Sequence, residues 1–253
     1  MQQAIIIFLI GVVVGTMNAI AGGGMLIGFP VLIALGISPL VANATGHVSA
    51  SGGLVTSTIT GREYLRKVPK RYMLLLLPMA LSAAAGTFYL RNTSADQFEK
   101  LVPGLLLFGV ALFAFQPLIH FHLHRHIRGH SSRLWPIILV GLALIPISFY
   151  GGYFGIGFGI LMLAFLGFTS IHDAHMMNAI KNFAAAVVGI VSIAFLVGSD
   201  LIDWRVGLIM MAGTSIGGVL GTKLAKKLNS HWLRIVMVVI GIIAALRFWY
   251  TSL

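Results

Sequence analysis

The chain has 253 residues, 58% hydrophobic and only 9% charged, with a mean hydropathy of +0.97. A soluble domain carries roughly 25% charged residues, so this chain could not clothe a water-soluble globule. A soluble enzyme, a disordered chain and a nucleic-acid-binding domain are excluded, despite 17 Lys plus Arg against 6 Asp plus Glu and a net charge of +11.

Residues 1–61 contain no Asp, Glu, Lys or Arg. The start, Met-Gln-Gln and then apolar, lacks a basic signal-peptide region, so the first segment is expected to be retained. Ala21-Gly22-Gly23-Gly24 and Gly36-Ile37-Ser38-Pro39 punctuate this stretch into pieces at 4–20, 25–35 and 39–60. The middle piece would be about 16 Å long as a helix, half a bilayer. The first two pieces therefore predict a re-entrant hairpin turning at the glycines. Irregular backbone at membrane depth survives only where it is buried in protein or lines a polar cavity. Full spans are expected at 72–90 and 101–119. Further uncharged runs at 134–171, 182–199 and 206–222 make the chain a polytopic α-helical membrane protein rather than a barrel of short alternating strands.

The second half repeats the first. Asn43 and Asn178 are separated by 178 − 43 = 135 residues. The same shift carries Gly22 to Gly157, Gly24 to Gly159, Gly86 to Gly221 and Thr87 to Thr222. The expected organisation is one membrane domain over 1–253, with repeat 1 at about 1–118, a cytoplasmic linker at 119–133 and repeat 2 at about 134–253. A hairpin plus three full spans per repeat is an odd number of crossings, so the second copy enters from the opposite side. Loop charges agree. Residues 61–71 hold Arg62, Arg66, Lys67, Lys70 and Arg71 against Glu63, whereas 196–206 holds Asp200 and Asp203 against Arg205. The positive-inside rule puts 61–71, 119–133 and 223–234 in the cytoplasm and both termini outside. The expected fold is an all-α membrane protein of two inverted repeats, the architecture of secondary transporters.

The run Gly15-x-x-Asn18-x-x-Ala21-Gly22-Gly23-Gly24, then Pro30, then Gly36-Ile37-Ser38-Pro39-x-x-Ala42-Asn43-Ala44-Thr45-Gly46, resembles the TauE/SafE family of membrane permeases. So do Ile171-His172-Asp173-Ala174-His175-x-x-Asn178-Ala179-x-Lys181-Asn182 and the Gly-Thr run at 217–225. The resemblance spans almost the whole chain. It implies a multi-pass transporter of the bacterial inner membrane, a permease or exporter, with sulfite and related sulfur-containing anions as substrates. One departure stands out: the second cluster reads Gly155-Ile156-Gly157-Phe158-Gly159, and Phe158 would narrow that turn.

The expected site is built from these motifs. Unwound glycine backbone at a half-helix start exposes N–H groups and adds dipole potential, which suits an anion; close packing of small residues is the alternative. Gly22, Gly23, Gly24, Gly157 and Gly159 are candidates on that ground, together with Asn43, Thr45 and Asn178 at the starts of the long spans. Asn182 and His47 occupy equivalent positions one turn further in. His47 is the only ionisable side chain within 1–61. Lys181 is the only Lys or Arg between Arg133 and Arg205; it either faces a substrate or snorkels to the interface. His120, His122, His124, His126 and His130 are read as a solvated basic linker rather than a metal site. The partners are a small anionic substrate and the lipid bilayer, with no nucleic acid, cofactor or metal; oligomeric state is not encoded legibly. Two other classes remain: an anion channel, and an intramembrane hydrolase pairing His47 with Ser51.

Overall fold

The computed structural model describes residues 2–126, 135–166, 169, 171 and 173–225, and beyond them 235, 238–239, 241–243 and 245–246. Every regular element among them is a helix. The first half contains α1 (Gln2–Ala21), α2 (Met25–Ala34), α3 (Pro39–Thr60), the short α4 (Arg62–Leu65), a 3-10 turn (Lys70–Leu75), α5 (Leu76–Arg91) and α6 (Ala95–His126). The second contains α7 (Trp135–Tyr153), α8 (Phe158–Leu166), α9 (Ala174–Leu196) and α10 (Trp204–Leu224).

Among the described residues, four stretches are long and apolar enough to cross a membrane: Gln2–Ala21, Tyr72–Arg91, Ala174–Leu196 and Trp204–Leu224. Large apolar side chains such as Leu74, Leu77, Leu81, Phe88 and Ile243 point outward, more than half exposed. A soluble surface rarely carries so much contiguous apolar area. Lipid is its solvent.

α3 is as long as the spans but less apolar, and the reason is its position. It packs against α1, α9 and α10 and buries Asn43, Thr45, His47, Ser49, Ser51 and Ser57. Its hydroxyls turn back on their own helix, as Ser49 does on the Thr45 carbonyl at 2.9 Å, or bridge to α10, as Thr56 does on the Ser215 carbonyl at 2.8 Å. Small residues let these backbones touch. A Cβ added to Gly15 or Gly53 would run into Thr214, and one on Gly217 into Val12 and Thr16.

α3 and α9 run antiparallel. The start of α3 is tied to the start of α10, because Thr45 Oγ1 accepts the Asp203 N–H at 3.0 Å. The end of α3 reaches the opposite end of α9: Gly61 lies against Ala179, and Tyr64 stacks on His175 with ring centroids 5.1 Å apart.

Both hairpins turn where glycine was expected to break them. α2 folds back on α1, with Gly28 against Val14. The hairpin is lopsided: α1, at 20 residues, is about 30 Å long, and α2, at 10 residues, about half that. Two boundaries differ from expectation. The span expected at 101–119 begins at Ala95 and runs on through His126, so the first part of the expected linker 119–133 is helix. Nothing in the sequence interrupts it, since the first Gly or Pro after Pro117 is Gly129. The side chains of His120, His122, His124, His126 and His130 lie outside the described residues, as do 127–134 and 226–234.

Candidate functional site

The two breaks meet in the middle of the molecule. At the first, α1 ends at Ala21 and Gly22 adopts φ +85°; at the second, α7 ends at Tyr153 and Gly157 adopts φ +84°. Left-handed backbone of this kind is open to glycine and strained for other residues. The breaks are in contact: a Cβ on Gly159 would sit 3.1 Å from the Gly22 Cα. Between them and the middles of α3 and α9 lies a cavity of about 60 Å³. That is several times the roughly 10–15 Å³ one water needs, so a compact anion of a few heavy atoms fits.

Four polar side chains line this cavity: Asn18, Asn43, His47 and Lys181. No Asp or Glu does. Lys181 is fully buried, and its Nζ donates to the Asn18 carbonyl at 2.9 Å. Its stem passes between Gly22 and Gly159, whose missing side chains leave it room. Lysine therefore does not snorkel. It crosses from α9 to the Asn18 carbonyl, which also accepts the Gly22 N–H, and among the described residues two of its three N–H donors have no other partner.

Asn43 and Asn178 each grip the other half's break. Asn43 Nδ2 donates to the Tyr153 carbonyl at 2.9 Å, and Asn178 Nδ2 donates to the Ala19 carbonyl at 2.8 Å. Asn43 also lines the cavity, whereas Asn178 stands behind it with its Oδ1 buried and unpartnered. Asn182 is buried off the cavity, also with an unpartnered Oδ1. Thr45 is fully buried at the α10 start and does not line the cavity either. His47 packs its Cε1 edge 3.1 Å from where a Gly155 Cβ would be, and its Nε2 is buried without a partner.

The glycine cluster is organised for close approach more than for free donors. The Gly22 N–H is bonded to the Asn18 carbonyl at 3.0 Å, and the Gly24 N–H to Asn18 Oδ1 at 3.0 Å. Gly24 packs against the Val14 carbonyl, and Gly23 opens α2 by accepting the Leu26 N–H. At the second break Phe158 takes the place of Gly23 and lies over Gly151, which has no side chain to collide with it. The site residue not anticipated is Asn18, which holds both Gly24 and Lys181. Its place in the Gly15-x-x-Asn18 spacing was the available signal. The proposed nucleophile and base do not pair: Ser51 Oγ donates to the Val48 carbonyl at 2.7 Å, one turn back.

The family model for the sulfite exporter TauE/SafE matches residues 7–248. The chain belongs to the TauE/SafE family. Relatives along its full length carry transporter names. A probable membrane transporter protein of Haemophilus influenzae is 30% identical over 97% of this chain and 94% of its own length. The probable membrane transporter protein YfcA of Escherichia coli K12 is 25% identical over 98% and 90%, and YjnA of Bacillus subtilis is 24% identical over 97% and 99%. No solved structure gives a significant match. Family membership makes the protein a multi-pass membrane transporter, and from the run Gly15 to Gly24 it is Asn18 and Gly22 that line the cavity.

Proposed function

We propose that this chain is a secondary transporter for a small anion, of the class of sulfite and related sulfur-containing or organic anions, in a bacterial inner membrane. The observation that carries the reading is Lys181: a buried ammonium on a cavity that no carboxylate lines. An intramembrane charge is costly and calls for a partner. The Asn18 carbonyl supplies half of one, and an anion supplies the rest. Gly22, Gly157 and Gly159 keep the backbone open, Asn43 and Asn178 hold the breaks in place, and Lys181 gives the attraction. Gly23, Gly24, Thr45 and Asn182 support this geometry from behind.

The two halves act as inverted repeats around the site. Three features support this. α9 begins 135 residues after α3 (174 − 39) and runs antiparallel to it. The positive-φ glycines Gly22 and Gly157 keep the same offset. Each hairpin packs its first helix against the other half, α1 along α10 and α7 along α5. Single cysteines at Lys67 and Asp200 should therefore react with an impermeant reagent from opposite faces, cytoplasmic for Lys67; labelling of both from outside removes the inversion.

Reconstitution into proteoliposomes tests the function. Sulfite, sulfate, thiosulfate, small sulfonates and carboxylates are supplied in turn. Saturable flux of at least one, lost when that anion is competed, is expected. Flux that never accumulates against a gradient would make the protein a channel, and no flux across the panel would end the anion reading.

A further inference from the structure

Of the four polar side chains on the cavity, three are already engaged. Asn18 Oδ1 accepts from Gly24, Asn43 Nδ2 donates to Tyr153, and Lys181 Nζ donates to Asn18. His47 is the exception. It is 7% exposed, lines the cavity, and its Nε2 is buried with no hydrogen-bond partner among the described residues. A buried polar atom in this state needs an explanation. Imidazole Nε2 either accepts or donates a hydrogen bond according to whether it carries a proton.

The groups that could share this duty are few. α1, α2 and α8 contain no titratable side chain. α7 brings Tyr150 and Tyr153, and the Tyr150 hydroxyl is spent on the Ile156 carbonyl at 2.6 Å. α9 brings Lys181 in the cavity and His175 at its far end; α10 carries only Arg205 and Lys223, near its ends; and α6 has Asp96, Glu99 and Lys100 in its first turns. No carboxylate relay is available at the site.

We propose that His47 carries a coupling proton, so that the anion crosses together with one proton; this rests on the anion reading above. From the side where water reaches the cavity, Nε2 takes a proton from hydronium, forming an N–H bond as an O–H bond breaks. The imidazolium and the Lys181 ammonium then flank the anion from the two breaks. On release, the proton returns from Nε2 to water and the imidazole is neutral again. One anion and one proton have moved.

The test uses the full chain in proteoliposomes with the membrane voltage clamped at zero and protein-free vesicles subtracted. The probes are sulfite and methanesulfonate; the latter stays ionised, so its own ionisation cannot follow the gradient. Wild type should accumulate whichever of these it carries about tenfold per unit of pH gradient, the ratio for one proton per anion. In His47→Gln the flux that remains should no longer follow the pH gradient. Proton uptake on anion binding to purified protein in weak buffer needs no turnover, and should fall from about one per anion to none in His47→Gln. Wild-type flux indifferent to the pH gradient, or unchanged proton uptake in His47→Gln, overturns the proposal while leaving anion transport standing. Absence of any anion flux in wild type instead strikes the functional reading itself.

Discussion

The two breaks are built on the same offset and furnished differently. The first is held by polar contacts: Asn18 closes on Gly24, and Lys181 closes on Asn18. The second adds rings to its polar contacts from Asn43 and Tyr150: Phe158 over Gly151, His47 against Gly155, and Phe154 edge-on to Phe29 with centroids 5.7 Å apart. The residue 135 positions before Lys181 is Gly46, and the residue 135 positions after His47 is Asn182. Two breaks at one offset thus give one cavity with unlike walls, a lysine amine on one side and an imidazole on the other.

The largest effect expected from breaking this contrast is at Lys181. Lys181→Met keeps length and apolarity and removes the charge. It should weaken anion affinity by about 1.5–3 kcal/mol, the range for a hydrogen bond to a charged group, which is roughly ten- to a hundredfold. Lys181→Arg should retain part of the function, since the charge persists but the compact ammonium does not. The matched change on the other side, Gly46→Ala, meets only the flexible tip of Met25, 2.8 Å from the added Cβ, and should leave affinity within about threefold. Affinities are read on protein normalised for membrane insertion. Equal losses at the two positions would mean that the walls are alike after all.

The glycines sharpen the same comparison at smaller scale. Gly22 and Gly157 share their positive φ, so alanine at either costs about 1–2 kcal/mol of backbone strain. Their surroundings differ. A Cβ on Gly22 meets Gly159 backbone at 3.1 Å and the Lys181 stem at 3.3 Å, whereas one on Gly157 finds nothing nearer than the Gly109 Cα at 3.5 Å. Gly22→Ala should therefore lower both Tm and transport, and Gly157→Ala mainly Tm. Thermal melts in detergent beside flux measurements separate strain from obstruction.

Much of this was legible in the residues because it is set by local chemistry. Gly22 and Gly157 mark the turns, charge-free runs mark the spans, and α3 and α9 keep the Asn43 to Asn178 offset. Family membership, too, was readable from the glycine and Asn motifs. What was not legible depends on partners distant in sequence. The destination of Lys181 is a main-chain carbonyl, which carries no signature of its own; the Asn18 carbonyl keeps the Gly22 N–H and takes the Lys181 Nζ as a second donor. Snorkelling to the interface was one of the two paths open to Lys181, but glycine at 22 and 159 leaves room for a lateral one. Asn178 and Asn182 were grouped with Asn43 because their positions match, yet of the three only Asn43 lines the cavity. The extent of α6 was misjudged because its apolar content, not its helicity, ends near 119.

The smallest expected effect lies at the starts of α3 and α9, where the two halves again part. Ser38 begins α3 with no side-chain cap bond, its place being secured by Pro39 at the first helical position. Asp173, 135 residues on, caps α9 by accepting the His175 and Met176 N–H groups at 2.8 and 2.9 Å. The Met176 N–H, foremost, holds the Asp173 carboxyl below its ordinary value of 3.8; the His175 N–H and the nearby His175 and Lys67 charges act in the same direction. A carboxylate whose folded-state value is depressed contributes stability that is present above its unfolded value and lost as pH falls through the folded one. The window is thus acidic, from 3.8 downward, and neutral solutions should show no pH dependence from this group. Asp173→Ala should lower Tm slightly at neutral pH and flatten the acid limb of the Tm–pH curve. Asp173→Asn should keep most of the cap while also flattening the limb, because the amide oxygen still accepts but no longer titrates. Ser38→Ala should change neither. The cap is fully exposed, so solvent and salt screen its charge and the shifts are small. An acid limb that persists in Asp173→Asn would assign it to another carboxylate and leave the two helix starts energetically equivalent.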